Sequence, residues 1–264
     1  MTVEYEHWLI ARGNTFAPSA EAIAKLVAKL RAGNWIVDPA SPSFAKLELR
    51  GPRAELARQS GAYAIKRVAN TFPKGREGLL ARIAASTESV PAALDANWLK
   101  DEARQDLNLV WPVSSPTPVV SYPLTRRPDG PVSYKLEIHR SVDFAYPIGE
   151  TIEPLTCECR CGNDLTFEWD PDDWENPFGA TTGIFTECDA CSRTFDPTQV
   201  SASIGNPFDG SEASVRGGAA HRFALKVDCM SSVVEDPGLA FAPALVALVE
   251  EEFGRSFFQF GSVY

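Results

Sequence analysis

The sequence predicts an α+β protein: a mixed β-sheet with packed helices, interrupted late in the chain by a cysteine-bearing insertion. Three observations carry this reading. Strand-and-helix punctuation appears near both ends of the chain, a strictly alternating stretch lies in the middle, and five of the six cysteines fall between residues 157 and 191. A length of 264 residues with 44% hydrophobic content suits one large or two small domains around a real core.

The opening "YEHWLIAR" (5–12) is rich in aromatic and branched residues and reads as a strand. A helix follows in "TFAPSAEAIAKLVAKLRAGNW". Ser19 is its expected N-cap, Ile23, Leu26, Val27 and Leu30 share one face, and Gly33 suits a left-handed C-terminal position. "WIV" (35–37) then reads as a short strand. "FAKLELR" (44–50) alternates like a strand until Gly51 and Pro52 break it, "GLLARIAAS" (78–86) has a helical look, and "DLNLVWPV" (106–113) reads as another strand.

Six prolines between 112 and 131 (Pro112, Pro116, Pro118, Pro123, Pro128, Pro131) predict an extended surface connection, because proline fixes φ and donates no hydrogen bond. "SYKLEIHRSVDFAY" (133–146) sets Tyr134, Leu136 and Ile138 on one face and Lys135, Glu137 and His139 on the other, the pattern of a half-buried strand. The C-terminal segment repeats the opening grammar. "HRFALKVDCM" (221–230) alternates, "FAPALVALVEEEFG" has Pro243 near its start and Gly254 past its end, and "FFQFGSVY" closes as a strand. Two related β-α-β units in one sheet would explain the parallel, although unrelated elements use the same punctuation. Residues 1–150 and 201–264 are assigned to the α+β domain and 151–200 to the insertion.

The insertion carries "CECRCG" (157–162) and "ECDAC" (187–191). Two short cysteine loops can each curl around one tetrahedral ion, with about 2.3 Å between zinc and sulfur. Cys159, Cys161, Cys188 and Cys191 are the expected ligands. Gly162 after the second cysteine eases the first turn, and Cys157 is the alternative to Cys159, in a C-x-x-x-C pair. The cluster, with Phe167 and Trp169 after the first loop and Phe185 and Phe195 around the second, resembles a zinc ribbon over about residues 155–199. The resemblance implies two knuckles on β-hairpins sharing one structural zinc. Four thiolates leave no open position for water, so such a site orders the chain and does no catalysis. Sulfur-only tetrahedral sites also suit iron, and paired thiols can instead form a redox disulfide. Cys229 stands apart on the apolar face of a predicted strand, as a small buried hydrophobe.

Other signals are weaker. "EWDPDDWENPF" (168–178) joins Asp170, Asp172, Asp173 and Glu175 to Trp169, Trp174 and Phe178. It reads either as a solvated acidic loop or as a protein-recognition patch anchored on tryptophan. His7, His139 and His221 each fall in a predicted strand without a companion at catalytic or metal spacing, so each is expected to be structural. No P-loop, dinucleotide fingerprint, nucleophile elbow or H-E-x-x-H motif occurs. The net charge of −10 opposes a phosphate backbone, and reads either as a balance that keeps the protein soluble or as complementarity to a basic protein partner. The N-terminus lacks the basic start of a signal peptide, and no apolar run is long enough to span a membrane, so a cytoplasmic location is expected. The resulting functional expectation is a non-catalytic, zinc-containing binding protein of the antitoxin or immunity type, neutralising a basic partner. An enzyme with a site assembled from the sheet and a nucleic-acid factor using the ribbon are the alternatives.

Overall fold

The structure, a computed structural model, describes residues 5–11, 15–37, 63–66, 87–91, 94–100, 107–115, 120–145, 156–166, 187–195, 200–205, 212–229 and 239–263. The expected strand at 44–50, the expected helix at 78–86 and the acidic loop at 168–178 lie outside these residues.

The α+β class holds. The strands are β1 (Tyr5–Ala11), β2 (Tyr63–Lys66), β3 (Thr87–Ser89), β4 (Leu107–Ser115), β5 (Val132–Ala145), β6 (Thr156–Glu158), β7 (Asp164–Thr166), β8 (Ser201–Gly205), β9 (Glu212–Arg216), β10 (His221–Cys229) and β11 (Phe257–Val263). The helices are α1 (Ala20–Ala32), α2 (Ala96–Lys100) and α3 (Pro243–Phe253). Seven strands form one sheet in the order β11-β1-β10-β5-β4-β2-β3, and two separate hairpins pair β6 with β7 and β8 with β9.

Every described pairing in the large sheet is antiparallel, where a mixed sheet was expected. The reason lies in the last β-α-β unit. Strands β10 and β11 run the same way around α3, but β1 lies between them and pairs antiparallel with both. The first unit differs again, because Trp35–Val37 bends where a strand was expected. Its indole and Ile36 go into the core.

Both long helices pack on one face of the sheet. Leu26 and Leu30 of α1 and Leu245 and Val249 of α3 share a buried cluster with Leu136, Ile138, Leu225 and Val227. Helix α1 starts where Ser19 Oγ accepts the Ala22 amide at 3.2 Å, relieving one of the orphan donors of the first turn. It stops in a Schellman arrangement: Trp35 N donates to Leu30 O at 2.9 Å and Asn34 N to Arg31 O at 3.0 Å. The left-handed residue there is Asn34, with φ 57°, whereas Gly33 has φ −83°. Gly33 serves another need. A Cβ on it would sit 2.6 Å from the Trp35 indole nitrogen. At the end of α3, Gly254 does adopt the left-handed conformation, with φ 61°.

The proline-rich stretch is more than a surface connection. Strand β4 runs through Pro112, past the last residue of β4 that pairs with β2, so the missing N–H breaks no ladder described on that side. Further on, Thr125 N donates to Ala240 O at 2.8 Å and Ala242 N to Pro123 O at 2.7 Å. These bonds pin Val120, Tyr122 and Leu124 into the core beside the start of α3. Among the described residues, no helix is long and apolar enough to cross a membrane.

Candidate metal centre and the buried seam of the sheet

The two cysteine loops form knuckles with matching backbone bonds. In the first, Gly162 N donates to Cys159 O at 2.7 Å and Cys159 N to Asn163 O at 2.8 Å. In the second, Cys191 N and Ser192 N reach Cys188 O at 3.2 and 2.7 Å, and Cys188 N donates to Arg193 O at 2.8 Å. Each knuckle needs a left-handed residue after its second cysteine: Gly162 at φ 85° and Ser192 at φ 55°. The first knuckle joins β6 to β7, and the second is closed by a bridge between Glu187 and Thr194.

This folding brings the sulfurs of Cys159, Cys161, Cys188 and Cys191 within 4.8 Å of one another. Cys159 and Cys191 sulfurs are 3.5 Å apart, and those of Cys161 and Cys188 are 3.8 Å apart. A tetrahedral ion with sulfur bonds of about 2.3 Å separates its ligands by about 3.8 Å. The spacing therefore fits a metal such as zinc. Cys157 is not in the set; it pairs across the hairpin with Leu165 and packs beside the cluster with Phe195. Cys229 is buried in the main core, 3.6 Å from the Tyr122 hydroxyl.

The first cysteine of each knuckle is buried and the second is exposed. Burial pushes the Cys188 thiol up, but the amides of Ala190 and Cys191 and the Asn163 side chain outweigh it and draw the group down to about 6. At Cys161 an amide from Asn163 lowers the thiol, yet the crowding by Cys159, Cys191 and Cys188 and some loss of hydration hold it up at about 12. Neighbouring sulfurs resist sharing negative charge, and a cation at their centre would remove that resistance. Around the knuckles Glu158, Asp164, Glu187 and Asp189 are exposed beside Arg160 and Arg193, a balance that repels phosphate.

The sheet face opposite the helices holds what the sequence did not show. Lys135, Glu137 and His139 were expected to face solvent, and the histidines to stand alone. Instead Glu137, His139, His221, Lys226 and Asp228 are all buried. Their rows follow from the register. Val110, Glu137, Lys226 and Trp8 lie side by side across β4, β5, β10 and β1, and Asn108, His139, Ala224 and Ile10 form the next row. The Lys226 ammonium is 2.6 Å from Glu6 and 3.5 Å from Glu137, while Lys135 meets Asp228 at 2.5 Å. Asn108 Nδ2 donates to Glu137 at 2.6 Å, and His139 Nε2 is 3.1 Å from the same carboxylate oxygen. Burial alone would raise Glu137, but Lys226, His139 and Lys135 hold it well below the usual carboxylate range. Glu6 goes the other way, pushed up by burial and by Asp228 and Glu137 against the pull of Lys226. Hairpin β8–β9 lays Ala202 and Ile204 over Trp8, Ile10 and Phe260, covering the apolar end of this face.

The one signal for this convergence was the polar parity of β5, which the sequence shows. The matching parity in β10 is hidden by an irregularity. Between His221 and Phe223 the β5–β10 register jumps from Ala145 to Arg140. Alternation would put His221 on the helix face with Phe223, but the jump turns it to the other, where its ring meets Trp8 at 5.5 Å and His139 at 6.0 Å.

No known family model, curated protein or solved structure matches this chain.

Proposed function

We propose that the protein is a non-catalytic, zinc-containing cytoplasmic binding protein that neutralises a basic protein partner, in the manner of an antitoxin or immunity protein. The supporting observation is the closed donor set. Four cysteine sulfurs lie at tetrahedral spacing on two knuckles, so a zinc ion there has no open position for substrate or water. Such an ion acts as a staple, as in a zinc ribbon, for the segment between β7 and the second knuckle. That segment contains "EWDPDDWENPF", whose tryptophans offer desolvated anchors and whose carboxylates attract a basic surface over distance. The net charge of −10 acts in the same direction.

The test combines elemental analysis with affinity capture from the native host. Wild type should carry zinc, and Cys191→Ser should hold one ion fewer. Trp174→Ala should keep its zinc and lose its captured basic protein, with a binding cost of roughly 2 kcal/mol or more. Iron in place of zinc, or equal capture by wild type and Trp174→Ala, would overturn the reading.

A further inference from the structure

We propose that His139 Nδ1 and His221 Nε2 together bind one divalent transition-metal ion of the zinc–nickel–copper class, in a second site on the sheet face opposite the helices. The site is separate from the thiolate cluster and does not depend on it.

The argument begins with the ring nitrogens that are already engaged. His139 Nε2 lies 3.1 Å from the Glu137 carboxylate, and His221 Nδ1 lies 3.0 Å from the Ala219 carbonyl oxygen. A carboxylate and a carbonyl can only accept, so each of these nitrogens carries the hydrogen. The opposite nitrogens, His139 Nδ1 and His221 Nε2, are then bare lone pairs. Both are buried without a hydrogen-bond partner. An imidazole whose far nitrogen is fixed by a carboxylate or a backbone carbonyl is how proteins orient a metal-binding histidine.

The spacing agrees. Bonds of about 2.0–2.1 Å from one ion to two imidazole nitrogens place the ring centroids roughly 5–6.5 Å apart. The two rings here are 6.0 Å apart, tilted by 47°. Directly across β10 from His139 stands Ala224, whose methyl group is the smallest side chain that keeps the strand regular. The register jump in β5 turns His221 onto this face, and bulges commonly re-aim a side chain at functional sites.

Local charge permits a cation. Glu6, Glu137 and Asp228 face Lys135 and Lys226, three carboxylates against two ammoniums, and Lys226 is held by Glu6 at 2.6 Å. Two further orphaned atoms on this face, Asn108 Oδ1 and Asp228 Oδ1, are also acceptors. Two imidazoles suit zinc, nickel and copper better than magnesium or calcium, which prefer oxygen. Among the described residues, only the four cysteines bring three or more ligating side chains together. The remaining positions on the histidine-bound ion therefore fall to water or a small anion.

The experiment uses the full chain saturated with zinc, desalted, and assayed for bound metal, with a parallel cadmium-113 NMR spectrum of the cadmium-loaded protein. Wild type should retain about two ions, and His221→Gln and Cys191→Ser about one each. The cadmium spectrum should show one resonance in the all-thiolate region and a second far upfield, the latter lost in His221→Gln. A wild type with a single ion, removed by Cys191→Ser, and a single all-thiolate resonance would overturn the proposal and leave a water between the two rings. Should His221→Gln fail to fold, the wild-type stoichiometry and spectrum decide the matter alone. Failure of the thiolate reading has a different signature, in which the all-thiolate resonance is missing.

Discussion

Three residues show how local chemistry sets positions that a motif scan misreads. Gly33 ends α1 without a left-handed backbone; its lack of a side chain makes room for the Trp35 indole, and Trp35 is tied down because its carbonyl accepts from Tyr134 at 2.7 Å. Gly33→Ala should cost about 1–3 kcal/mol, the range for overpacking a filled site. At Asn34, where φ is 57°, a glycine should be nearly neutral and a valine should cost about 1–2 kcal/mol. Urea unfolding of the three variants checks the pattern, and equal effects at both positions would contradict it. His7 supplies a pH prediction. Burial holds it down to about 4, against the pull of a Leu239 backbone group and Asp228. Because the folded value lies below the unfolded one, the unfolded chain binds the extra proton between about pH 6.5 and 4. The stability tied to neutral His7 is complete above that window and is lost as pH falls through it, by roughly 2–3 kcal/mol. His7→Gln should flatten that part of the stability curve, as urea midpoints from pH 7 to 4 would show.

Among the elements, those with strong local signals were legible and those set by long-range pairing were not. Helices α1 and α3 were readable because caps and apolar spacing lie within a few residues of each other, and both helices do end at the expected glycines. The knuckles were readable for the same reason, since a sulfur cluster needs only short loops. The sheet order was not, because the insertion of β1 between β10 and β11 pairs residues more than 200 positions apart. The buried seam was missed because alternation shows which residues share a face but not what covers that face. Among the described residues, the knuckle hairpins share a cluster of Cys159, Leu165 and Cys188, with Cys157 and Phe195 beside it. On the reading proposed above, zinc staples the two knuckles and contributes on the order of 10 kcal/mol to ordering them. Chelation, or Cys191→Ser, should therefore release the amides of Gly162, Cys188 and Ser192 to fast hydrogen exchange while β5 and β10 stay protected. Unchanged exchange in the knuckles would show that metal is not what orders them.

For the whole molecule, the sheet is a core on both faces, and the faces are stabilised differently. The helix face is built on an apolar cluster, while the opposite face gathers three carboxylates and two ammoniums, Lys226 among them. Burial lowers Lys226, but Glu137, Glu6 and Asp228 together more than offset this and keep the ammonium charged well above its usual range. Removing one partner from a buried ion pair is costly because the desolvated opposite charge stays behind. Lys226→Met keeps most of the side-chain length but removes the ammonium, which lies 5.3 Å from the Trp8 ring centroid, and leaves Glu6 and Glu137 without Lys226 between them. It should destabilise the protein by roughly 3–5 kcal/mol. Combining it with Glu6→Gln and Glu137→Gln removes the uncompensated charge, so the triple variant should recover a large part of that loss, a coupling that independent surface charges would not show. Urea unfolding at pH 7 measures both. A cost below about 1 kcal/mol for Lys226→Met, the scale of a surface pair, would mean that water reaches this face and that the seam is no part of the core.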